Sequence, residues 1–295
     1  MPDTDAQVLN VSITREAADS DIILACEHAS SAIPAEFGGL GLSPAARHSH
    51  AAWDPGASAV AHTMSELLDA CLVEATVSRL VFDCNRPPSA PDAMPARSEA
   101  FDIPGNADLT ETERARRTNL YYTPFKTALA GRMAEKTSPI LVTIHSFTPV
   151  YNGIPREVEI GILHDHDTRL ADALLKAATD HTPANVQRNA PYGPEHGVMH
   201  TLKTHALPKG RLNVMIEIRN DLIQTAQQQA DRDAFKTLNV VFDYTGGSIA
   251  TFTWASNTFS GQSFAFTPTV TQNNVVSFMS WSGAVFGNFA MKSFN

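Results

Sequence analysis

The sequence predicts an α/β domain followed by a β-rich C-terminal segment. From about residue 20 to residue 237, short apolar runs alternate with longer amphipathic stretches, which is the pattern of strands and helices in α/β domains. After Asp243 the only charged residue is Lys292, and eight of the fifteen phenylalanines follow Asp243. We therefore predict one α/β domain over residues 1–240, long enough to bury a sizeable core, and a charge-poor β-rich tail over 241–295.

Apolar runs of strand length predict six strands in the first domain. They cover residues 22–26, 72–77, 80–84, 140–145, 158–163 and 214–218. Longer amphipathic stretches predict helices over 57–70, 110–134, 168–179 and 225–238. Thr110 followed by Glu113 has the form of a capping box, which marks the start of the second helix. Residues 86–104 contain five prolines and are predicted to form a loop.

The tail has the composition of β structure. Residues 248–254 and 264–270 alternate or are rich in β-forming residues, and Gly246 and Gly247 suit a turn. Because exposed strands of this aromatic, weakly charged kind promote aggregation, the tail is expected to pack against something.

Composition excludes several classes of protein. No apolar run reaches about 18 residues, so no membrane span is expected, and the first twenty residues lack the features of a secretion signal. A cytoplasmic location is therefore the expectation. Cys26, Cys71 and Cys84 have neither an even count nor CxxC spacing, which predicts no disulfide framework and no thiolate zinc site. A net charge of −9 argues against general nucleic-acid binding.

Titratable side chains stand where predicted strands end. Glu27 and His28 follow the strand at 22–26, an arrangement typical of a site at the edge of an α/β sheet or of a solvated loop. His145 ends the apolar run 140–145, either as a ligand or as a core histidine with satisfied nitrogens. Asp54 precedes the helix at 57–70, where it either caps the helix or joins the site.

Two further groups carry charge near predicted strands. Glu217 interrupts an apolar strand, so it is either a desolvated proton acceptor or the partner of an arginine such as Arg219. Arg79, Asn85 and Arg86 flank the predicted strand at 80–84 and would either bind an anionic substrate or form surface salt bridges.

Two histidines and a carboxylate are a common ligand set for catalytic zinc, and a second carboxylate nearby can act as the base. A metal hydrolase built on these residues is therefore one interpretation. A thiol hydrolase using Cys26 or Cys84 beside a histidine is a second. A binding or assembly protein that uses its β-rich tail is a third.

Six segments, in order over residues 20–230, resemble the N-formylglutamate amidohydrolase family, which is distantly similar to zinc carboxypeptidases. They read CEHASSAIP, WDPGA, SRLVFDCNRP, TIHSF, PYGPEHGVMHTLKTHALP and MIEIRND. The resemblance implies a three-layer α/β/α sandwich of the phosphorylase/hydrolase type, with a mixed central sheet. It also implies hydrolysis of a small anionic N-acyl amino acid, N-formyl-L-glutamate in the type reaction of histidine degradation, to formate and glutamate. Another zinc amidase or carboxypeptidase is the alternative.

The resemblance also implies roles for individual residues. Zn²⁺ or another divalent metal would be held by His28, Asp54 and His145, with Glu27 as an alternative ligand. Glu217 would be the general base, and Arg219 would support catalysis beside it. The substrate would be bound by Asn85, Arg86, Arg79, Tyr192 and His205.

Overall fold

The structure, a computed structural model of the chain, describes residues 10–224. Beyond them it describes only five short strands, at 240–244, 248–252, 269–270, 276–280 and 290–292. The helix predicted at 225–238 and the turn predicted at Gly246 and Gly247 lie outside the described residues. The division into domains at residue 240 stays a prediction.

The strands are numbered β1 to β16 in chain order. They are β1 (Val11–Thr14), β2 (Ile22–Cys26), β3 (Cys71–Ala75), β4 (Arg97–Ser98), β5 (Phe101–Asp102), β6 (Ile140–Phe147), β7 (Val150–Tyr151), β8 (Ile154–Pro155), β9 (Ile160–Leu163), β10 (Val186–Arg188), β11 (Asn213–Arg219), β12 (Val240–Tyr244), β13 (Ser248–Phe252), β14 (Thr269–Val270), β15 (Val276–Ser280) and β16 (Ala290–Lys292). The α-helices are α1 (Pro44–His48), α2 (Ala57–Leu68), α3 (Glu111–Arg117), α4 (Thr123–Glu135), α5 (Arg169–His181) and α6 (His200–His205).

Seven strands form one mixed sheet in the order β1-β3-β2-β6-β11-β9-β10. The four central strands β3, β2, β6 and β11 are parallel to one another, whereas β9 runs antiparallel to β11 and β1 runs antiparallel to β3. Because the central strands are parallel, their carboxyl ends meet at one edge of the sheet, and the loops there are the usual place for a site.

Helices cover both faces of the sheet and complete three layers. On one face α2 and α5 pack against alternate strand residues such as Leu24, Val142 and Ile216. On the other face α4, α6 and the long loops pack against Ile23, Leu141 and their neighbours. The apolar runs of the central strands follow from this arrangement, since residues on both faces are buried. The predicted α/β/α sandwich with a mixed sheet is confirmed.

One predicted strand is wrong. Residues 80–84 form a buried loop, in which the amides of Val81 and Phe82 donate to the main-chain oxygen of Ser78. Leu80, Val81 and Phe82 are apolar because they fill the core beneath this loop. The short strands β1 and β10 were not predicted.

The helix predicted at 110–134 is α3 joined to α4 by a single π-helical segment at Thr118–Tyr122. The Thr110 hydroxyl accepts a hydrogen bond from the amide of Glu113 at 3.2 Å, so the predicted cap is present. The helices predicted at 57–70 and 168–179 correspond to α2 and α5. In the described part of the chain, no helix has the length and apolar character needed to cross a membrane.

Candidate active site

Three side chains from separate parts of the sequence converge at the carboxyl edge of the sheet. His28 lies two residues beyond β2, Asp54 lies three residues before α2, and His145 lies within β6. Nδ1 of His28 and Nδ1 of His145 are 3.1 and 2.9 Å from Oδ2 of Asp54, and the two Nδ1 atoms are 3.2 Å apart. All three side chains are buried. The predicted convergence of the two histidines and Asp54 is thus present.

Main-chain contacts hold Asp54 in this position. Its amide donates to the main-chain oxygen of His28 at 3.0 Å, which ties the loop after β2 to the loop before α2. Its Oδ2 also accepts from the amide of Ser146 at 3.3 Å. The N-cap of α2 is Gly56 rather than Asp54. The carboxylate therefore belongs to the cluster, and the interpretation of Asp54 as a helix cap is wrong.

A second carboxylate lies behind each histidine. Nε2 of His28 is 2.8 Å from Oδ1 of Asp83, and Nε2 of His145 is 3.2 Å from Oε2 of Glu27. Among the described residues, neither Nε2 of His145 nor either Glu27 oxygen has an aligned hydrogen-bond partner, so the latter contact is a close ion pair. Outer carboxylates of this kind fix the ring orientation of metal-binding histidines. Glu27 thus lies on the far side of His145, which does not fit the alternative that Glu27 is a ligand.

The charges of the cluster compensate one another. Burial lowers the pKa of His145, but Glu27 and Asp54 outweigh burial and hold that pKa well above its usual range. Burial raises the pKa of Asp54, but the two histidines reverse this effect and hold that pKa well below its usual range. Burial likewise raises the pKa of Asp83, but His28 and Arg79 bring it well below its usual range. The carboxylates are therefore ionised, and without a cation the imidazoles carry protons.

The donor set fits a divalent metal ion. Two imidazole nitrogens and one carboxylate oxygen are the ligands that catalytic zinc sites use, with one position open to water or substrate. Ligands of a tetrahedral zinc with bonds of about 2.0–2.1 Å lie roughly 3.3 Å apart, close to the distances between the three converging atoms. Four buried carboxylates (Glu27, Asp54, Asp83 and Glu217) surround the two histidines, so a cation would replace protons that the imidazoles must otherwise hold.

Glu217 stands beside this cluster with a free carboxylate oxygen. It pairs in register with His145 on β6 and with Gly161 on β9, so the three residues share one face of the sheet. Within the described part of the chain its buried Oε2 has no hydrogen-bond partner. Burial first, and then the negative charge of Asp54, raise the pKa of Glu217 to about 7. A carboxyl group with this pKa can both accept and release a proton near neutral pH.

Gly161 allows the chain after β10 to pack closely against β9, next to Glu217. A methyl group at Gly161 would overlap the main-chain oxygen of Ala190, so only glycine permits this close approach. Tyr192 follows two residues later. Burial and the charge of Glu217 raise the pKa of Tyr192 to about 12. Tyr192 therefore stays protonated in the neighbourhood of Glu217, and its role in substrate binding stays a prediction.

Arg79 forms ion pairs with two carboxylates of the cluster. Its Nη2 donates to Asp83 at 2.7 Å and its Nη1 to Asp54 at 3.4 Å. Arg79 thus stabilises two ionised carboxylates and keeps them oriented toward the histidines.

Asn85 and Arg86 tie loops together. The Asn85 side chain donates to the main-chain oxygen of Val198 at 2.6 Å and accepts from the amide of Thr201 at 3.0 Å. Both ends of this buried amide thus hold main-chain groups in place, and substrate binding by Asn85 stays a prediction. Arg86 donates to Asp92 at 2.7 Å, and the Asp92 side chain is 57 % exposed.

Two predicted residues lie outside the cluster. Each guanidinium nitrogen of Arg219 already donates, to Asp221, Glu159 and the main-chain oxygen of Arg156. This bonding ties the chain just before β9 to the end of β11, and the catalytic role of Arg219 stays a prediction. Burial lowers the pKa of His205 to about 4, so that imidazole is neutral at physiological pH.

The cysteines do not fit the thiol alternative. Cys26 and Cys84 are fully buried, and burial together with neighbouring carboxylates raises the pKa of both thiols well above the usual range. A thiol hydrolase needs a depressed thiol pKa to supply the thiolate nucleophile.

Two residues of the site region were not predicted. Asp83 was missed because its segment was interpreted as a strand, although a carboxylate inside an apolar run was a usable signal. Arg156 directly follows the short hairpin of β7 and β8, for which no strand was predicted. The hairpin does carry the Asn152-Gly153 pair typical of such turns.

The chain is similar to known proteins over most of its length. The N-formylglutamate amidohydrolase family model matches residues 20–224. No curated protein gives a significant match to the chain. The crystal structure of gene product Atu2144 from Agrobacterium tumefaciens is similar, with 56% identity and a TM-score of 0.74 over 77% of this chain and 91% of that one.

A crystal structure of N-formylglutamate amidohydrolase from Ralstonia eutropha JMP134 shares the fold. It has 19% identity and a TM-score of 0.54, over 77% of this chain and 94% of that chain. The family match spans every residue that forms the cluster, from Glu27 to Glu217. The chain therefore belongs to the N-formylglutamate amidohydrolase family.

Proposed function

We propose that this protein is a metal-dependent amidohydrolase that cleaves N-formyl-L-glutamate to formate and glutamate. The observation that carries the proposal is the convergence of His28, Asp54 and His145 within 3.2 Å of one another, beside the free carboxylate oxygen of Glu217. Family membership supports amide hydrolysis of this type. The metal dependence and the substrate are parts of the proposal.

His28, Asp54 and His145 would hold the ion, Zn²⁺ or another divalent metal. When bound, such an ion supplies Lewis acidity, which withdraws electron density from a carbonyl group and makes water a stronger acid. Asp83 and Glu27 hold the two imidazole rings with Nδ1 toward Asp54, as binding of an ion by these three residues would require. Arg79 keeps the charge of Asp54 and Asp83 in place.

Glu217 is the proton carrier of the reaction. It takes a proton from the water that attacks the formyl carbon, and it then gives a proton to the departing amine as the C–N bond breaks. One C–O bond forms and one C–N bond breaks, so one water is consumed and formate and glutamate are the products. The pKa of about 7 suits Glu217 to both transfers, because neither protonation state is strongly favoured near neutral pH.

Arg86 is proposed to bind the α-carboxylate of the substrate. Its side chain is largely buried and donates to Asp92 and to the main-chain oxygens of Asn85 and Gly197, whereas Asp92 is more than half exposed, so an incoming carboxylate would replace Asp92 in this ion pair. A net negative protein can still bind an anionic substrate when arginines of this kind line the cleft. Tyr192 would close the site near Glu217.

Formate release tests the proposal directly. Purified protein loaded with Zn²⁺ is expected to release formate from N-formyl-L-glutamate, to lose this activity in a strong chelator, and to regain it when the metal is returned. Metal content per chain should fall in His145→Asn, which removes one ligand. Absence of formate from loaded protein would refute the substrate, and activity that survives complete metal removal would refute the metal dependence.

A further inference from the structure

Arg156 lies in a cage of aromatic rings at the edge of the site. The carbon of its guanidinium is 4.6 Å from the ring centroid of Tyr151, 5.0 Å from that of Tyr192 and 5.5 Å from that of Phe147. Rings at such distances stabilise a cation through their negatively charged faces without neutralising it. The cage therefore orients a charged guanidinium and leaves it able to bind an anion.

No carboxylate among the described residues forms an ion pair with Arg156. Its Nη1 donates to the main-chain oxygen of Thr148 at 3.3 Å, which leaves the positive charge uncompensated. The other arginines discussed above are paired: Arg79 with Asp54 and Asp83, Arg86 with Asp92, and Arg219 with Glu159 and Asp221. Arg156 is thus the site-region arginine whose charge lacks a counterion within the described chain.

Two of the cage residues connect Arg156 to the cluster. Phe147 is two residues beyond His145 on the same face of β6, which corresponds to about 7 Å along the strand. Tyr192 is close enough to Glu217 and Arg156 for both charges to affect its pKa, in opposite directions. The Arg156 guanidinium therefore stands beyond the reacting groups, with Tyr192 near both.

We propose that Arg156 binds the side-chain carboxylate of the substrate and so selects acidic N-acyl amino acids over neutral ones. The α-carboxylate of an N-formyl amino acid is attached to the carbon next to the amide nitrogen, whereas the side-chain carboxylate of glutamate is further from the scissile bond. The more distant carboxylate suits a guanidinium set back from the cluster, and a planar guanidinium can bind it through two hydrogen bonds. This assignment rests on the proposed function.

The test compares two substrates that differ only at the side-chain terminus. In Arg156→Gln, kcat/KM for N-formyl-L-glutamate is expected to fall about 10- to 100-fold, mainly through a higher KM, because a charge-assisted contact is lost. For N-formyl-L-glutamine, kcat/KM should change little, since that substrate has no carboxylate to lose. Arg156→Lys should fall between, because it keeps the charge without the planar fork. Equal losses on both substrates, or no loss on either, would overturn the assignment.

Arg15→Gln is the matched control. Arg15 follows β1, the strand at the opposite edge of the sheet from β10, and its ion pair with Asp69 is about 40 % exposed on both sides. This variant should behave as wild type on both substrates. Comparable thermal unfolding of Arg15→Gln, Arg156→Gln and wild type would exclude a general loss of folding.

A binding measurement separates this assignment from the proposed function. Calorimetric titration of the metal-loaded protein with L-glutamate and with L-glutamine needs no turnover. Wild type is expected to bind L-glutamate more tightly than L-glutamine, and Arg156→Gln should lose this preference. The assignment fails if Arg156→Gln keeps the preference or if wild type has none. Absence of formate release with an intact, Arg156-dependent preference would instead refute only the proposed reaction.

Discussion

The two faces of the central sheet are formed by the same strands but differ in chemistry. On the face toward α2 and α5, residues such as Leu24, Val142 and Ile216 continue as an apolar surface to the carboxyl ends of the strands. On the opposite face the apolar residues stop, and Glu217 and His145 stand side by side in register at the carboxyl edge. Glu27 lies on the same face, two residues beyond the Ala25–Thr143 pair.

This difference separates stability from function within single strands. Burial of apolar side chains stabilises the fold, whereas burial of carboxylates opposes folding unless they meet cations or hydrogen-bond donors. The stabilisation from the buried apolar face therefore offsets the free-energy cost of burying a cluster of charges on the other face. Substitutions on the charged face should therefore mainly reduce turnover, and substitutions on the apolar face should mainly reduce the free energy of unfolding.

The largest expected effect on the charged face is that of Glu217→Gln. The amide keeps the size of the side chain but cannot carry a proton, so turnover of N-formyl-L-glutamate should fall about 10²- to 10⁴-fold. Metal content should stay at the wild-type level, because Glu217 is not among the three converging ligands. Steady-state formate release and metal analysis of the same sample measure both. The control is Glu66→Gln, on the exposed side of α2, which should keep wild-type turnover. Near-normal turnover of Glu217→Gln would refute the role of Glu217 as the base.

On the apolar face, Leu24→Ala should lower the free energy of unfolding by about 2–5 kcal/mol. Leu24 is fully buried and packs with the apolar residues on the face toward α2 and α5. Turnover per folded molecule should remain near that of wild type. Urea unfolding measures the loss, and Leu67→Ala on the exposed side of α2 should change stability by less than about 0.5 kcal/mol. A large loss of turnover in folded Leu24→Ala would show that the two faces are not independent.

The pH dependence of stability should also separate the faces. In the metal-free protein the folded-state pKa of Glu217 is raised to about 7 from the usual 4.5, so the folded state binds more protons between these values. The stabilisation from protonated Glu217 is complete below pH 4.5 and is lost as the pH rises through 7. This stabilisation is about 3 kcal/mol.

Glu217→Gln cannot titrate at this position, so its stability should lack this decline. Urea unfolding of wild type, Glu217→Gln and Leu24→Ala in chelator, between about pH 5 and pH 8, measures the difference. The Leu24→Ala curve should run parallel to that of wild type. Parallel curves for wild type and Glu217→Gln would refute the raised pKa of Glu217.

The sequence was most informative where a strand pattern and a charge coincide. Apolar runs predicted the central strands, and His145 and Glu217 stood out because each lies in an otherwise apolar run. Residues in loops that neither lie in a predicted strand nor directly follow one were harder to interpret. Asp54 has the local pattern of a helix cap, and only the three-dimensional approach of His28 and His145 gives it another role.

Two errors have the same physical origin. Residues 80–84 are apolar because they line the core as a loop, and apolarity alone does not distinguish a buried loop from a strand. Arg156 depends on rings from three separate segments, which no local pattern brings together. Long-range packing, rather than local propensity, decides both cases.

The smallest expected effect on the charged face is that of Asp83→Asn. Asp83 does not reach the convergence point, but it accepts a hydrogen bond from Nε2 of His28 and so keeps Nδ1 of that ring toward Asp54. An asparagine keeps the shape but loses the charge, and metal affinity should fall about 10- to 100-fold. Competition with a chromophoric chelator measures this affinity. Asp102→Asn, an exposed partner of Arg97, should leave it unchanged, and wild-type affinity in Asp83→Asn would mean that the ring is held by packing alone.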